Sequence, residues 1–170
     1  MRIRPAVLDD ADAIAHVHLA SWKTTYPGII AQDYIDSLRV EVGTAMWRTR
    51  LTENAPATFV AEDESGIFGF AAGGAIVHNV DGYDGELGAI YLLASHHKQG
   101  AGRALVQRIA ATLHGQGFRS MIVWALEANP ACRFYQRLGG VPVAAQTIDI
   151  GGQSLPEVAY GWPDITVLVL

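Results

Sequence analysis

The order of apolar and polar positions predicts strands that alternate with helices in the second half of the chain. Nearly unbroken apolar runs at 86–94 and 120–126 are typical of strands covered on both faces. Between them, apolar residues recur at helical spacing and predict a helix that ends at the glycines near 115–117. The segment 129–140 opens with Asn-Pro and closes on two glycines, which is typical of a short helix.

The first half of the chain has a different pattern. Residues 1–8 alternate enough to form a first strand, and 8–26 follow as a helix that Asp9 or Asp10 would cap. A Pro-Gly break then precedes a second short helix. Residues 57–77 predict two strands around a Glu-Ser-Gly turn, which is an antiparallel hairpin.

The end of the chain predicts a strand, a Gly-Gly turn and a strand over 143–162, and an apolar strand at 165–170. Together these elements predict an α/β (α+β) fold with a central mixed, mostly antiparallel sheet flanked by helices. We expect residues 1–170 to form one domain, since this length suits a single hydrophobic core.

Composition narrows the class of protein. Half of the residues are apolar and 17% are charged, so the chain can bury a core. The net charge of −5 argues against a generally basic surface for nucleic acid. One cysteine excludes an internal disulfide and a multi-cysteine metal site. No secretory signal and no run of ~18 apolar residues is present, so we expect a cytoplasmic protein without a membrane span.

The stretch "HHKQGAGRAL" at 96–105 places two glycines directly before the predicted helix. The first turn of a helix has unpaired N–H groups and partial positive charge, so it suits an anion. Glycine lets the backbone approach a ligand closely, and Lys98 and Arg103 add cationic side chains. A loop that only requires positive φ is the alternative. The spacing matches neither a Walker loop nor a dinucleotide-binding fingerprint.

Two stretches, "ELGAIYLLASHHKQGAGRAL" and "NPACRFYQRLGG", resemble the GNAT superfamily of acyl-CoA-dependent N-acetyltransferases, and the resemblance covers nearly the whole chain in element order. The second stretch is similar to the family's Asn…Phe-Tyr…Leu-Gly segment. A histidine stands at the first position of the family signature, where Gln or Arg is usual. The signature Gln/Arg-x-x-Gly-x-Gly/Ala corresponds here to His97, Lys98, Gln99, Gly100, Ala101 and Gly102.

The resemblance implies acetyl-CoA as the acetyl donor and no metal. It implies that the strand backbone pairs with the pantetheine arm, that the glycine loop holds the pyrophosphate, and that Asn129 reaches the arm near the thioester. Tyr135 would stand beside the sulfur. The residues implied for acetyl-CoA are Ile90, Tyr91, Leu92, His97, Lys98, Gln99, Gly100, Ala101, Gly102, Arg103 and Asn129.

The chemistry of amine acetylation suggests roles for three residue types. An amine with a pKa near 10.4 is mostly protonated at pH 7, so a base or a water relay must remove its proton. Glu86 is our candidate base; Glu127 and solvent are the alternatives. Tyr135 can donate to the departing thiolate as a general acid, and a strand amide such as that of Leu92 can meet the oxyanion.

The acceptor is less defined by the sequence. Trp22, Tyr26, Trp124 and Glu127 are candidates for the acceptor pocket, although aromatic residues at such positions are equally typical of a core. The acidic balance favours a cationic amine such as a polyamine, an aminoglycoside or a protein N-terminus. A non-catalytic acyl-CoA-binding sensor is the alternative function. By analogy with the family, an edge strand at 165–170 would allow a homodimer.

Overall fold

The computed structural model describes residues 1–52, 57–77 and 79–169. Seven strands form one sheet in the order β1-β2-β3-β4-β5-β7-β6. Every neighbouring pair is antiparallel except β4 and β5, which are parallel, so the predicted mixed sheet is confirmed. The elements are β1 (Arg2–Pro5), α1 (Ala11–Thr25), α2 (Gln32–Ser37), α3 (Val40–Thr52), β2 (Ala57–Asp63), β3 (Gly66–Ala75), β4 (Gly85–Leu92), α4 (Ala101–Gly115), β5 (Met121–Leu126), α5 (Cys132–Arg137), β6 (Val141–Ile150) and β7 (Gln153–Trp162).

Helices cover both faces of the sheet. On one face, α4 buries Leu105, Ile109 and Leu113 completely against the strands, as their helical spacing predicts. Complete burial of a leucine or isoleucine contributes roughly 1.5–3 kcal/mol, so this stripe alone holds α4 on the sheet. On the other face, α1 and α3 enclose Trp47 and Phe70. We call these the α4 face and the α1 face.

Strands β4 and β5 separate soon after they begin. They pair only at Gly85–Met121 and Glu86–Ile122, although both strands continue beyond these positions. The remaining parts of β4 and β5 therefore leave a space between their carboxyl ends, which we call the β4–β5 gap. In an otherwise paired sheet, such a space leaves backbone N–H and C=O groups without strand partners.

A β-bulge in β4 determines which of its side chains pack on the α4 face and which pack on the α1 face. Ala72 pairs with Ala89 and Gly73 pairs with Leu87, so Gly88 has no opposite residue. As a result Leu87 and Ile90, three positions apart, both pack on the α4 face. Tyr91 packs on the α1 face instead.

The structure corrects three predictions about elements. Helix α3 was not predicted, because Trp47 is its only fully buried residue and it has little apolar periodicity. Residues Ile165–Leu168 form a 3-10 turn packed on α4 rather than a strand. Asp10 does not cap α1 with its side chain, because its carboxylate accepts from the Val7 N–H and from the Arg4 guanidinium.

The ends of the sheet are β1 and β6. Residues 165–169 therefore provide no edge strand for a partner, and a homodimer stays a prediction. Within residues 1–52, 57–77 and 79–169, no helix is both long and apolar enough to cross a membrane.

Candidate active site at the ends of β4 and β5

The connection from β4 to α4 forms a strained turn beside the β4–β5 gap. Lys98 has φ 61°, which is uncommon for a residue other than glycine, and Gly100 has φ 89°. Gly100 occupies the N-cap position of α4 without a side-chain cap. Strained backbone of this kind is often found where a loop holds a ligand.

The backbone N–H groups of residues 98–103 make no hydrogen bond to any residue that the structure describes. Those of Ala101, Gly102 and Arg103 belong to the first turn of α4, whose N–H groups have no intrahelical partner. Together with the helix dipole they give this end of α4 a partial positive charge. This part of the chain therefore has the donors that a phosphate group requires.

Side chains hold the turn in place. His97 Nε2 lies 3.1 Å from the Leu92 carbonyl oxygen and donates to it, and Gln99 donates to the Ser95 carbonyl at 2.9 Å. His96 stacks on Phe68 at 4.1 Å between ring centroids. The histidine at the first signature position therefore anchors the loop to the end of β4. In the structure, the His97 side chain hydrogen-bonds to the backbone of the protein itself.

Gly102, the last position of the family signature, lies close to the ring of Phe134. A Cβ atom on Gly102 would come within 3.3 Å of Phe134 Cζ. The first turn of α4 therefore lies against Phe134 of α5, and a Cβ atom at Gly102 would displace that ring by a few tenths of an ångström.

Backbone groups of β4 point into the gap. The Leu93 N–H donates to the Phe68 carbonyl in β3 at 2.8 Å. Because successive residues of a strand point in opposite directions, the N–H groups of Leu92 and Ile90 point away from β3 and into the gap. The Leu92 carbonyl accepts from Ser21 Oγ at 3.1 Å as well as from His97. Its N–H is therefore the polar group of Leu92 that is left for a ligand.

Three tyrosines converge at the carboxyl ends of β4 and β5. Tyr26 at the end of α1 and Tyr135 on α5 are 7% and 5% exposed, and Tyr91 is half-buried. Burial raises the pKa of each phenol, so all three remain protonated at neutral pH. The Tyr26 hydroxyl also accepts a hydrogen bond from Asn129 Nδ2 at 3.2 Å. We call Tyr26, Tyr91 and Tyr135 the phenol cluster.

The candidate bases lie at different distances from this cluster. Glu86 is 7% exposed at the paired start of β4, and its Oε2 accepts from the Val77 N–H at 2.9 Å. It precedes Leu92 by six positions, which is roughly 20 Å along a strand. A proton would have to cross that distance through water. Glu127 follows β5 directly and is exposed.

Trp22 and Trp124 both contribute to the α1 side of the site. Trp22 packs against Tyr26 at 4.8 Å between ring centroids. Trp124 precedes Leu126 by two positions on β5, and Leu126 packs on Tyr26, so alternation puts Trp124 on the same face. The indole N–H groups of both residues are buried without a hydrogen-bond partner among the described residues.

His18 is a site residue that sequence reasoning missed. Its ring lies 4.4 Å from that of Tyr91, and burial, followed by the charge of Arg50, lowers its pKa to about 4. It is therefore neutral at physiological pH. Nothing in the local sequence pattern points to a function for His18. No group of three potential metal ligands occurs in the described ranges.

Comparisons with known proteins agree with this geometry. A family model described as "Acetyltransferase (GNAT) family" matches residues 20–140. The chain is 46% identical over 167 residues to the N-acetyltransferase YuaI of Bacillus subtilis (strain 168), covering 98% of this chain and 95% of YuaI. It is 27% identical over 146 residues to the N-acetyltransferase Rv2669 of Mycobacterium tuberculosis, covering 85% and 91% of the two chains.

Solved structures share the fold. The acetyltransferase yncA of Salmonella typhimurium, determined with acetyl-CoA, has a TM-score of 0.71 at 22% identity and covers 95% of this chain and 92% of its own. The paia N-acetyltransferase of Thermoplasma acidophilum, in complex with coenzyme A, has a TM-score of 0.67 at 20% identity, with 92% and 96% covered.

The fold and the sequence matches together define a class of enzyme, the acyltransferases that modify amines. The chain belongs to the GNAT family of acetyltransferases, which confirms the resemblance of its two signature stretches.

Proposed function

We propose that this protein transfers an acetyl group from acetyl-CoA to a primary amine of a small molecule or a protein N-terminus. The amine attacks the thioester directly while both substrates are bound. The observation that carries the proposal is the row of unpaired N–H groups at 98–103 beside the β4–β5 gap. Acetyl-CoA in yncA and coenzyme A in paia support the choice of donor.

The residues present fit acetyl-CoA. The N–H groups of 98–103, with the Lys98 and Arg103 side chains, would hold the diphosphate. The N–H group of Ile90 would pair with an amide oxygen of the pantetheine arm in the gap. Residues 98–100 and Arg103 are exposed, so a charged group can reach them from solvent.

Acetyl-CoA, when bound, supplies a thioester carbonyl that an amine nitrogen can attack. The Leu92 N–H then stabilises negative charge on the carbonyl oxygen. Tyr135 keeps its proton because burial raises its pKa, and it donates that proton toward the sulfur. Glu86, Glu127 or solvent takes the proton of the amine; for Glu86 this requires a chain of water molecules.

Release of coenzyme A from acetyl-CoA, measured with a thiol reagent across a panel of amines, tests the proposal. Turnover with at least one amine supports it. Stabilisation by acetyl-CoA with no turnover on any amine would instead identify a non-catalytic acyl-CoA sensor.

A further inference from the structure

The hydrogen-bond orientation of Asn129 determines the role of Tyr26. The Ala131 N–H donates to Asn129 Oδ1 at 2.9 Å, which requires an oxygen at that position. The amide nitrogen must therefore face Tyr26, whose hydroxyl oxygen accepts at 3.2 Å. The Tyr26 proton therefore points elsewhere, and the Tyr91 hydroxyl lies close enough to raise the pKa of Tyr26.

The Tyr91 oxygen is faced by donors only. The Tyr26 hydroxyl and the Trp22 indole N–H both lower the pKa of Tyr91, against the larger effect of its burial. Neither group forms a full hydrogen bond with it, and the Trp22 N–H is buried without a partner in the described part of the chain. The Tyr91 proton itself has no acceptor there.

No carboxylate of the described residues raises the pKa of these three phenols by its charge. A carboxylate nearby would raise the phenol pKa, yet among the described residues only other tyrosines and Cys132 do so by their charge. Such surroundings suit an oxygen that accepts hydrogen bonds. They offer no counter-charge to an ammonium group. A cationic substrate, which the net charge of the chain favours, would find no opposite charge at these hydroxyls.

In the proposed reaction the two substrates would approach from opposite faces of the sheet. The 98–103 loop begins α4, so the coenzyme enters from the α4 face, whereas Trp22, Tyr26 and the Tyr91 side chain lie on the α1 face. Tyr135 serves the sulfur and the Leu92 N–H serves the thioester oxygen in the proposed reaction. The donors of Trp22, Tyr26 and Tyr91 are left for the acceptor.

We propose that Trp22, Tyr26 and Tyr91 bind a carbonyl or carboxylate oxygen of the acceptor, so that the acceptor is an amine with such a group on the neighbouring carbon. Free α-amino acids and peptide N-termini share this chemistry. The inference rests on the proposed acetyl transfer and specifies its substrate class. Tyr26 and Tyr91 are specificity-determining residues of that reaction.

A matched set of acceptors tests the inference: phenylalanine, phenylalaninamide and phenethylamine. Phenethylamine lacks the carboxylate or carboxamide group of the other two. Coenzyme A release gives kcat/KM for each. We expect at least a tenfold preference for phenylalanine or its amide over phenethylamine, since one hydrogen bond to an acceptor of this kind contributes roughly a factor of ten. The ratio between phenylalanine and its amide distinguishes free amino acids from peptide N-termini.

Variants of Tyr26 and Tyr91 test whether these two residues determine the specificity for the acceptor. Y26F and Y91F keep the rings and should each reduce the preference for phenylalanine or its amide over phenethylamine several-fold. Y83F is the matched control, since the Tyr83 ring packs over Gly161, away from the cluster. Calorimetry of N-acetylphenylalanine against N-acetylphenethylamine, with coenzyme A present, should show the same loss in binding for both variants.

Several results would overturn the inference. Equal kcat/KM for the three amines, a preference for phenethylamine, or an unchanged preference in both variants would each contradict it while leaving acetyl transfer intact. No coenzyme A release with any amine would overturn the proposed reaction and this inference together.

Discussion

The Tyr135 hydroxyl is buried among other phenols and makes no hydrogen bond to a residue that the structure describes. If it donates to the departing sulfur, Y135F should lower kcat at least tenfold, because general acids typically contribute 10²–10⁴-fold. Coenzyme A affinity should change less than twofold, since the ring remains. Steady-state kinetics and calorimetry measure the two quantities, and equal losses in both would argue against an acid role.

His18 should make the stability of the protein depend on pH. Its pKa is about 4 in the folded protein and about 6.5 when unfolded. Between these values the unfolded state binds more protons, so the free energy of unfolding falls as pH falls from about 6.5 to 4. The loss is about 3 kcal/mol at most.

Urea unfolding at pH 7 and pH 4.5 measures this effect. H18F should lose much less stability between the two pH values than the parent protein does. H16Q is the control, because the His16 side chain is 62% exposed. The same pH dependence in H18F and the parent protein would show that His18 is not the titrating group.

At the scale of elements, the two ends of α4 allow a matched comparison. Gly100 and Gly117 both have positive φ, and a Cβ on either would meet no atom within 4 Å. An alanine at either position should cost roughly 1–2 kcal/mol from backbone strain. Only G100A should also weaken coenzyme A binding several-fold, because it alters the N–H groups of the loop.

Thermal unfolding and calorimetry separate strain from binding in these variants. Equal affinities for coenzyme A in G100A and G117A would mean that the loop does not hold the diphosphate.

Elements with strong periodicity or turn residues were predictable. The Leu105–Leu113 stripe of α4 and the Gly151-Gly152 hairpin are confirmed. Helix α3 was missed because it buries one tryptophan rather than a stripe. The segment 165–170 was predicted as a strand because it is apolar, but Ile165 and Leu168 pack on α4 instead. Short apolar runs do not distinguish these two outcomes.

At the scale of the whole molecule, ligand binding should stabilise the fold. Acetyl-CoA at a hundredfold its Kd should add about 2.7 kcal/mol to the free energy of unfolding. Acetyl-pantetheine, which lacks the diphosphate, should stabilise much less at the same concentration, because it cannot reach the N–H groups of 98–103. Thermal unfolding with each compound measures the difference. Equal stabilisation would place the diphosphate outside the loop.

The sequence by itself determined the elements and the glycine turn, since hydrophobic periodicity, turn residues and helix-end chemistry act over a few neighbouring positions. Only the tertiary structure decided which side chains meet at the carboxyl ends of β4 and β5. The bulge at Gly88 turns Tyr91 toward α1, and the separation of β4 from β5 brings Tyr26 and Asn129 together across 103 positions of the chain. Contacts between residues so distant depend on how the elements pack, which no local pattern records.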